Sequence, residues 1–124
     1  MHPGTRCPPR SGGGDGELDL PWGLTTNADG EVFVADWGND RVQRFSSEGR
    51  FVAQYGGTGR GDGEFVRPAS VAVDSDGYIY VADWRNDRIQ RFTPDGGFVA
   101  SYGSPGSGEG QLYRPASVAV DENA

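Results

Sequence analysis

Short apolar runs, each cut off by Gly, Pro, Asn or Asp, follow one another along this chain, and no stretch sustains a helical period. The longest patterned stretch, residues 78–92, reads Y-I-Y-V-A-D-W-R-N-D-R-I-Q-R-F. It has a twin at residues 31–45, E-V-F-V-A-D-W-G-N-D-R-V-Q-R-F. The offset is 47 residues throughout, from Asp36 to Asp83 and from Phe45 to Phe92. A fixed period of this kind dictates architecture, because each unit buries its apolar face only against its neighbours.

Within one period the pattern predicts four strands. In the second copy they are A (70–74, S-V-A-V-D), B (78–83), C (88–92) and D (98–102). S-D-G between A and B is an Asp-Gly pair of the kind that favours positive φ in a tight hairpin. T-P-D-G-G turns the chain from C to D. A Gly-rich connector precedes each A strand: Gly12, Gly14, Asp15, Gly16 and Glu17 recur as Gly59, Gly61, Asp62, Gly63 and Glu64, and again as Gly106, Gly108, Glu109, Gly110 and Gln111. Proline follows at 21, 68 and 115. Strand B is apolar on both alternating faces, Tyr78, Tyr80 and Ala82 on one and Ile79 and Val81 on the other. A strand of that composition is buried on both sides, which requires its sheet to be stacked between two others. Four-stranded antiparallel sheets stacked face to face around an axis form a β-propeller; a two-sheet sandwich is the runner-up. The expected fold is therefore all-β: a partial propeller of two four-stranded blades plus the first strand of a third. Residues 1–10 match nothing later and are expected to be a disordered tail. Repeats then occupy residues 11–124, with blades at about 21–67 and 68–114 and a third begun at 115–124.

The two copies of A-D-W-x-N-D-R-[VI]-Q-R-F, set among V-A-V-D, D-G, F-V and Y-G, resemble the NHL repeat family over roughly residues 12–124. The resemblance implies blades of a six-bladed propeller. It also implies a platform for protein partners, with RNA-binding modules and metal-dependent enzymes among the relatives. Two positions depart from the pattern: the glycine expected before strand A is present as Gly23 but is Ser70 and Ser117 in the later copies. Two blades leave two sheet faces to be covered. Either the chain is a fragment of a larger propeller, the favoured expectation, or three copies self-associate into a closed ring. A propeller hydrolase or lyase with its ligands in other blades is the alternative function.

Composition narrows the chemistry. The formal charge is −7 over 124 residues, and all eleven cations are arginine. Such a balance disfavours RNA held by bulk electrostatics. The arginines available for it, Arg41, Arg44, Arg85, Arg88 and Arg91, are each expected to be paired with Asp. No apolar run approaches a membrane span, so no membrane partner is expected. His2 is the only histidine and Cys7 the only cysteine. Neither a nucleophile–histidine pair nor a His-rich metal site can be assembled within the repeats. No catalytic residue, metal or cofactor is therefore assigned.

Trp37 and Trp84 sit at the tips of the B–C loops. In a propeller these loops share a face with the Gly-rich connectors. Trp37, Trp84, Arg85, Asn39, Asn86, Asp40 and Asp87 are the candidate surface for a protein or peptide partner, since exposed Trp and Arg anchor interfaces. The competing reading is that each Trp caps the core against the neighbouring blade. Asp36–Arg41 and Asp83–Arg88 flank the same loops and read as cross-strand staples. Asn27, Asp74 and Asp121, at the ends of strand A, read as turn caps ahead of a cation-binding collar. Arg60-Gly61-Asp62 reads as one variant of the connector.

Overall fold

The computed structural model describes residues 10–11, 14–103 and 109. The expected opening strand of a third blade and residues 1–9 of the expected tail lie outside the described residues. Two antiparallel four-stranded sheets follow each other. The first is β3 (Pro21–Thr26), β4 (Val32–Asp36), β5 (Arg41–Phe45) and β6 (Phe51–Tyr55). The second is β7 (Pro68–Val73), β8 (Ile79–Asp83), β9 (Arg88–Phe92) and β10 (Phe98–Tyr102). Each sheet is in simple sequence order, which is the meander of a propeller blade. Ahead of them β1 (Arg10–Ser11) pairs in parallel with β2 (Glu17–Leu18). The second connector repeats this loop as a bridge from Thr58 to Phe65. Arg10, expected as the end of a tail, is thus part of the first connector.

Two local details differ from the sequence reading. The A strands begin at Pro21 and Pro68, earlier than the apolar run shows, because the backbone before that run already pairs with the end of strand B: Pro21 lies opposite Asp36 and Pro68 opposite Asp83. The A–B turns are also not two-residue Asp-Gly hairpins. Gly77 N–H donates to the Asp74 carbonyl (3.0 Å) and Asp74 N–H to the Tyr78 carbonyl (3.0 Å), which leaves a three-residue loop. Only its glycine has positive φ, 88° at Gly77 and 79° at Gly30. This is a type I turn closed by a left-handed residue, in which Asp keeps an ordinary φ. Its carboxylate instead caps the loop: Asp74 Oδ1 accepts from Asp76 N–H (3.0 Å) and Tyr78 N–H (2.8 Å). Asn27 does the same for Asp29 and Glu31. The turn-cap reading therefore accounts for the side-chain oxygens of Asn27 and Asp74, and Asp121 lies outside the described residues.

The core lies between the blades. Phe33, Ala35 and Val42 from the first sheet meet Val71, Ile79, Val81 and Phe92 from the second, with Phe65 of the connector inserted at the edge. Burying such a side chain contributes about 1.5–3 kcal/mol. This explains why strand B carries apolar residues on both faces. The comparison of equivalent positions is direct: Val71, against the first blade, is 4% exposed, whereas its counterpart Leu24 is 69% exposed.

The seam is tightened at the outer strands. Tyr55 of the first blade lies across the C–D turn of the second, where Gly96 has φ 93°. A Cβ at Gly96 would stand 2.4 Å from the Tyr55 ring. Arg44 pairs with Glu31 and donates to the Pro94 carbonyl across the seam (3.2 Å). The Arg44 hydrogen bond, joined by one from Asn27, holds the Glu31 carboxyl below its ordinary value of 4.5.

Gly96→Ala, which meets both a positive φ and the Tyr55 ring, is expected to cost about 2 kcal/mol or more in urea unfolding. Gly57→Ala, at a position with nothing within 4 Å, should stay within about 0.5 kcal/mol. A second expectation concerns acid. Because the folded pKa of Glu31 is depressed, its stabilisation is fully present above the ordinary value of 4.5 and is lost as pH falls through the lower folded value. The stability difference between the parent chain and Glu31→Gln should therefore be flat near neutral pH and shrink in that acid window; a difference that grows on acidification would contradict the assignment.

Candidate functional site

The B–C loops are positioned from below by a buried polar cluster. Asp36 is fully buried at the end of β4. Its carboxylate accepts from Arg41 Nε (2.9 Å), Asn39 Nδ2 (3.0 Å), Gln43 Nε2 (3.4 Å) and the Asp19 N–H (2.7 Å). Asp83 repeats the arrangement with Arg88 (2.9 Å), Asn86 (2.9 Å), Gln90 (3.3 Å) and the Val66 N–H (2.8 Å). Burial pushes the Asp83 carboxyl up, and the Asn86 amide, the Val66 N–H and the Arg88 guanidinium pull it back. The same side chains reach onward to the connector. Arg88 donates to the Gly61 and Glu64 carbonyls (2.8 Å each), and Gln90 donates to Glu64 O (2.7 Å) and accepts from Gly63 N–H (2.9 Å). A buried ion pair is costly unless every lone pair is used, and here each carboxylate has four donors. The Asp–Arg staples expected from sequence are present. The role of Gln43 and Gln90 was not read, although a glutamine recurring between the apolar residues of strand C, at Val42 and Phe45 and again at Ile89 and Phe92, was its signal.

Each loop above this cluster is one 3-10 turn, Trp37–Asn39 and Trp84–Asn86, ended by a left-handed residue, Asp40 or Asp87, both with φ 55°. The other two left-handed residues that are not glycine are Leu20 (φ 56°) and Arg67 (φ 58°), at the ends of the connectors. All four such residues among those described lie on this one face. Asp40 locks it across the seam: its carboxylate accepts from Arg67 N–H (2.7 Å) and from Thr58 Oγ1 (2.8 Å) of the second connector.

The tryptophans are brought together, and a third joins them. Trp22 and Trp37 stack with centroids 4.3 Å apart and an interplanar angle of 14°; Trp37 and Trp84 lie 4.8 Å apart at 51°. The Arg67 guanidinium sits 5.7 Å above Trp37 and that of Arg85 5.9 Å above Trp84. Trp22 was not among the sequence candidates. It occupies a β-bulge, since Pro21 pairs with Asp36 and Gly23 with Ala35, and a bulge re-aims the side chain it carries. Its counterpart in the second blade is Ala69, buried under the same bulge. A tryptophan standing where the other copies have alanine was the available signal. Trp22 is 61% exposed, whereas Trp37 and Trp84 are half-buried in the row.

The other expected site residues divide clearly. Asn39 and Asn86 spend their amides on the buried carboxylates, and Asn86 also on the Gly59 carbonyl (2.9 Å). Asp40 holds the seam, and Arg85 is exposed beside Trp84. The expected pairing of all five arginines with Asp is corrected. Arg41 and Arg88 are so paired, but Arg44 meets Glu31, Arg85 meets Trp84, and Arg91 lies 4.2 Å from the Tyr78 ring centroid.

Asp36→Ala would leave Arg41 buried without its anion and is expected to destabilise by about 3–5 kcal/mol in urea unfolding. Asn39→Ala, which removes one of four donors, should cost about 1–2 kcal/mol in the same measurement.

Comparison with known proteins places this geometry. Residues 23–92 match the family described as 6-bladed beta-propeller. The chain is similar to Protein lin-41 of Caenorhabditis elegans, 47% identical over 45 residues, and to Protein brain tumor of Drosophila melanogaster, 42% identical over 45 residues. In each case the match covers 36% of this chain and 4% of the relative. RING finger protein nhl-1 of C. elegans is 44% identical over 50 residues, 40% of this chain and 5% of that protein. The chain thus corresponds to a small part of each relative's length. Among solved structures, an exported protein of Bacteroides fragilis superposes with TM-score 0.62 at 25% identity, over 73% of this chain and 26% of that one. Regucalcin of Agrobacterium tumefaciens (TM-score 0.58, 20% identity, 83% of this chain and 34% of that one) and a streptogramin B lyase (0.56, 22%, 68% and 26%) share the fold. With both blades, their connectors and the repeated polar cluster in place, the chain belongs to the 6-bladed β-propeller family, and its blades are NHL-type repeats.

Proposed function

We propose that this chain is a non-catalytic binding module whose docking face is the row Trp22–Trp37–Trp84, and that its partner is a protein or peptide. The observation that carries the reading is the row itself, three indoles on one face with Trp37 in ring contact with both others. Stacked tryptophans on a rigid base supply contact area at little entropic cost, and residues of this type dominate binding energy at interfaces. Two further features support it. Left-handed backbone at Leu20, Arg67, Asp40 and Asp87 is confined to this face, and such strain gathers at binding sites. The polar side chains Asn39, Asn86 and Asp40 of the same loops are engaged in holding loops, which leaves recognition to ring faces and to Arg85. The lin-41 and brain tumor relatives place the chain among NHL-type repeat proteins, for which a platform is the fitting role.

The test is selection of peptides from a random library on the purified chain, followed by affinity measurement against variants. Trp22→Ala and Trp37→Ala are each expected to weaken the selected peptides by about 30-fold, the scale of an interface hot spot. Selected peptides that bind both variants as tightly as the parent would place the docking surface elsewhere.

A further inference from the structure

The two repeats differ at the end of the tryptophan row. Gly38 of the first B–C loop is replaced by Arg85 in the second, and Gly13 of the first connector by Arg60. The first loop cannot carry a side chain there. Gly38 N–H donates to the Asp19 carbonyl at 2.7 Å, and a Cβ on Gly38 would stand 2.5 Å from that oxygen. In the second loop the equivalent bond, from Arg85 N–H to the Val66 carbonyl, is longer at 3.0 Å, and Arg85 is exposed.

Arg60, Arg85 and Arg88 line one cavity of about 250 Å³ with Asn86 and Asp87. Arg88 is balanced by Asp83, and Asn86 is anchored to the same carboxylate. Arg60 and Arg85 are exposed, and neither forms an ion pair with a described residue. Counting Asp87 against them, the cavity keeps one positive charge on a chain of formal charge −7. Two exposed arginines lining one opening supply guanidinium forks of the kind that hold a single carboxylate or phosphate group.

We infer that this cavity is an anion subsite for one acidic side chain, carboxylate or phosphate, of a peptide whose neighbouring residues lie on the tryptophan row. The inference rests on the row being the docking face, and it adds the chemistry of the partner. A peptide suits the charge better than a nucleic acid. Asp15, Asp19, Asp62 and Glu64 are all exposed on the connectors of this face and repel a polyanion, while one isolated anionic group meets a cavity whose arginines outweigh its Asp87.

The test uses nuclear magnetic resonance on the isotope-labelled full chain, following the arginine Nε–H and tryptophan indole N–H signals. Inorganic phosphate is the first probe. The Arg60 and Arg85 signals are expected to move saturably, and the double variant R60G/R85G, which installs the glycines of the first repeat, should remove at least about tenfold of the affinity. The second probes are a peptide bearing Pro-Tyr-Glu, its Pro-Tyr-Gln counterpart, its phosphoserine counterpart, and an oligouridylate of matching length. Tighter binding of either acidic peptide than of the glutamine peptide, lost in the double variant, supports the subsite, and the better of the two identifies the anion. Unmoved Arg60 and Arg85 signals, or equal binding of acidic and glutamine peptides, overturn it. Oligouridylate binding more tightly than every peptide overturns the peptide assignment. Failures are separable: indole signals that move while the arginine signals do not leave the docking face standing and remove only the subsite.

Discussion

Everything on the candidate face depends on the buried carboxylate at the end of strand B. Asp36 and Asp83 are each fully buried, and each gathers an arginine, an asparagine, a glutamine and a backbone N–H. A carboxylate stripped of water costs several kcal/mol, and the arginine beside it is equally stranded without it. The cluster thus behaves as one unit, and it joins three backbone segments that have no continuous strand pairing with each other: the B–C loop, the C strand and the connector. Hydrophobic burial between blades sets how the sheets stack. The polar cluster sets where their loops end.

Rigidity then propagates outward along the chain. With the connector held, Asp40 reaches Thr58 and the Arg67 N–H across the seam, and Arg67, like its counterpart Leu20, takes a left-handed conformation that such residues rarely adopt. The Arg67 guanidinium lies over Trp37. The bulge at Trp22 supplies the remaining member of the row. Each step converts a local backbone irregularity into the aim of one side chain, so the row is preorganised and a partner need not order it on binding.

Much of this was legible in the residues. The 47-residue offset and the doubly apolar strand B predict stacked four-stranded sheets, and the Asp–Arg pairs opposite each other at the strand ends predict the staples. What was not legible depends on relations that strand patterning does not carry. Trp22 lies in a strand whose alternation says only that it faces one side; the bulge that sends it to the rim is a property of pairing with Asp36 and Ala35. The asparagines were grouped with the tryptophans because loop polarity reads as exposure, whereas their amides turn inward to an acid three residues earlier. Arg44 and Arg91 occupy the same repeat position yet meet Glu31 and Tyr78, because residue 31 of the first copy and residue 78 of the second differ. The start of a third blade lies outside the described residues.

The repeat itself separates what the fold needs from what is free to vary. Asp, Asn, Arg and Gln of the cluster are identical in the two copies, as are both tryptophans that follow the aspartates. The copies differ where the cluster imposes nothing: Trp22 against Ala69, Asp19 against Val66, Gly38 against Arg85. These differences are coupled by contact. The close Asp19 carbonyl leaves no room for a Cβ at residue 38, and the longer Val66 bond accompanies the arginine. One blade therefore presents an indole at the rim and a closed loop, and the next presents a buried alanine and two exposed arginines. An asymmetric partner is what such a face can read, because a sequence of unlike contacts fixes both position and direction along the row, which identical blades could not do.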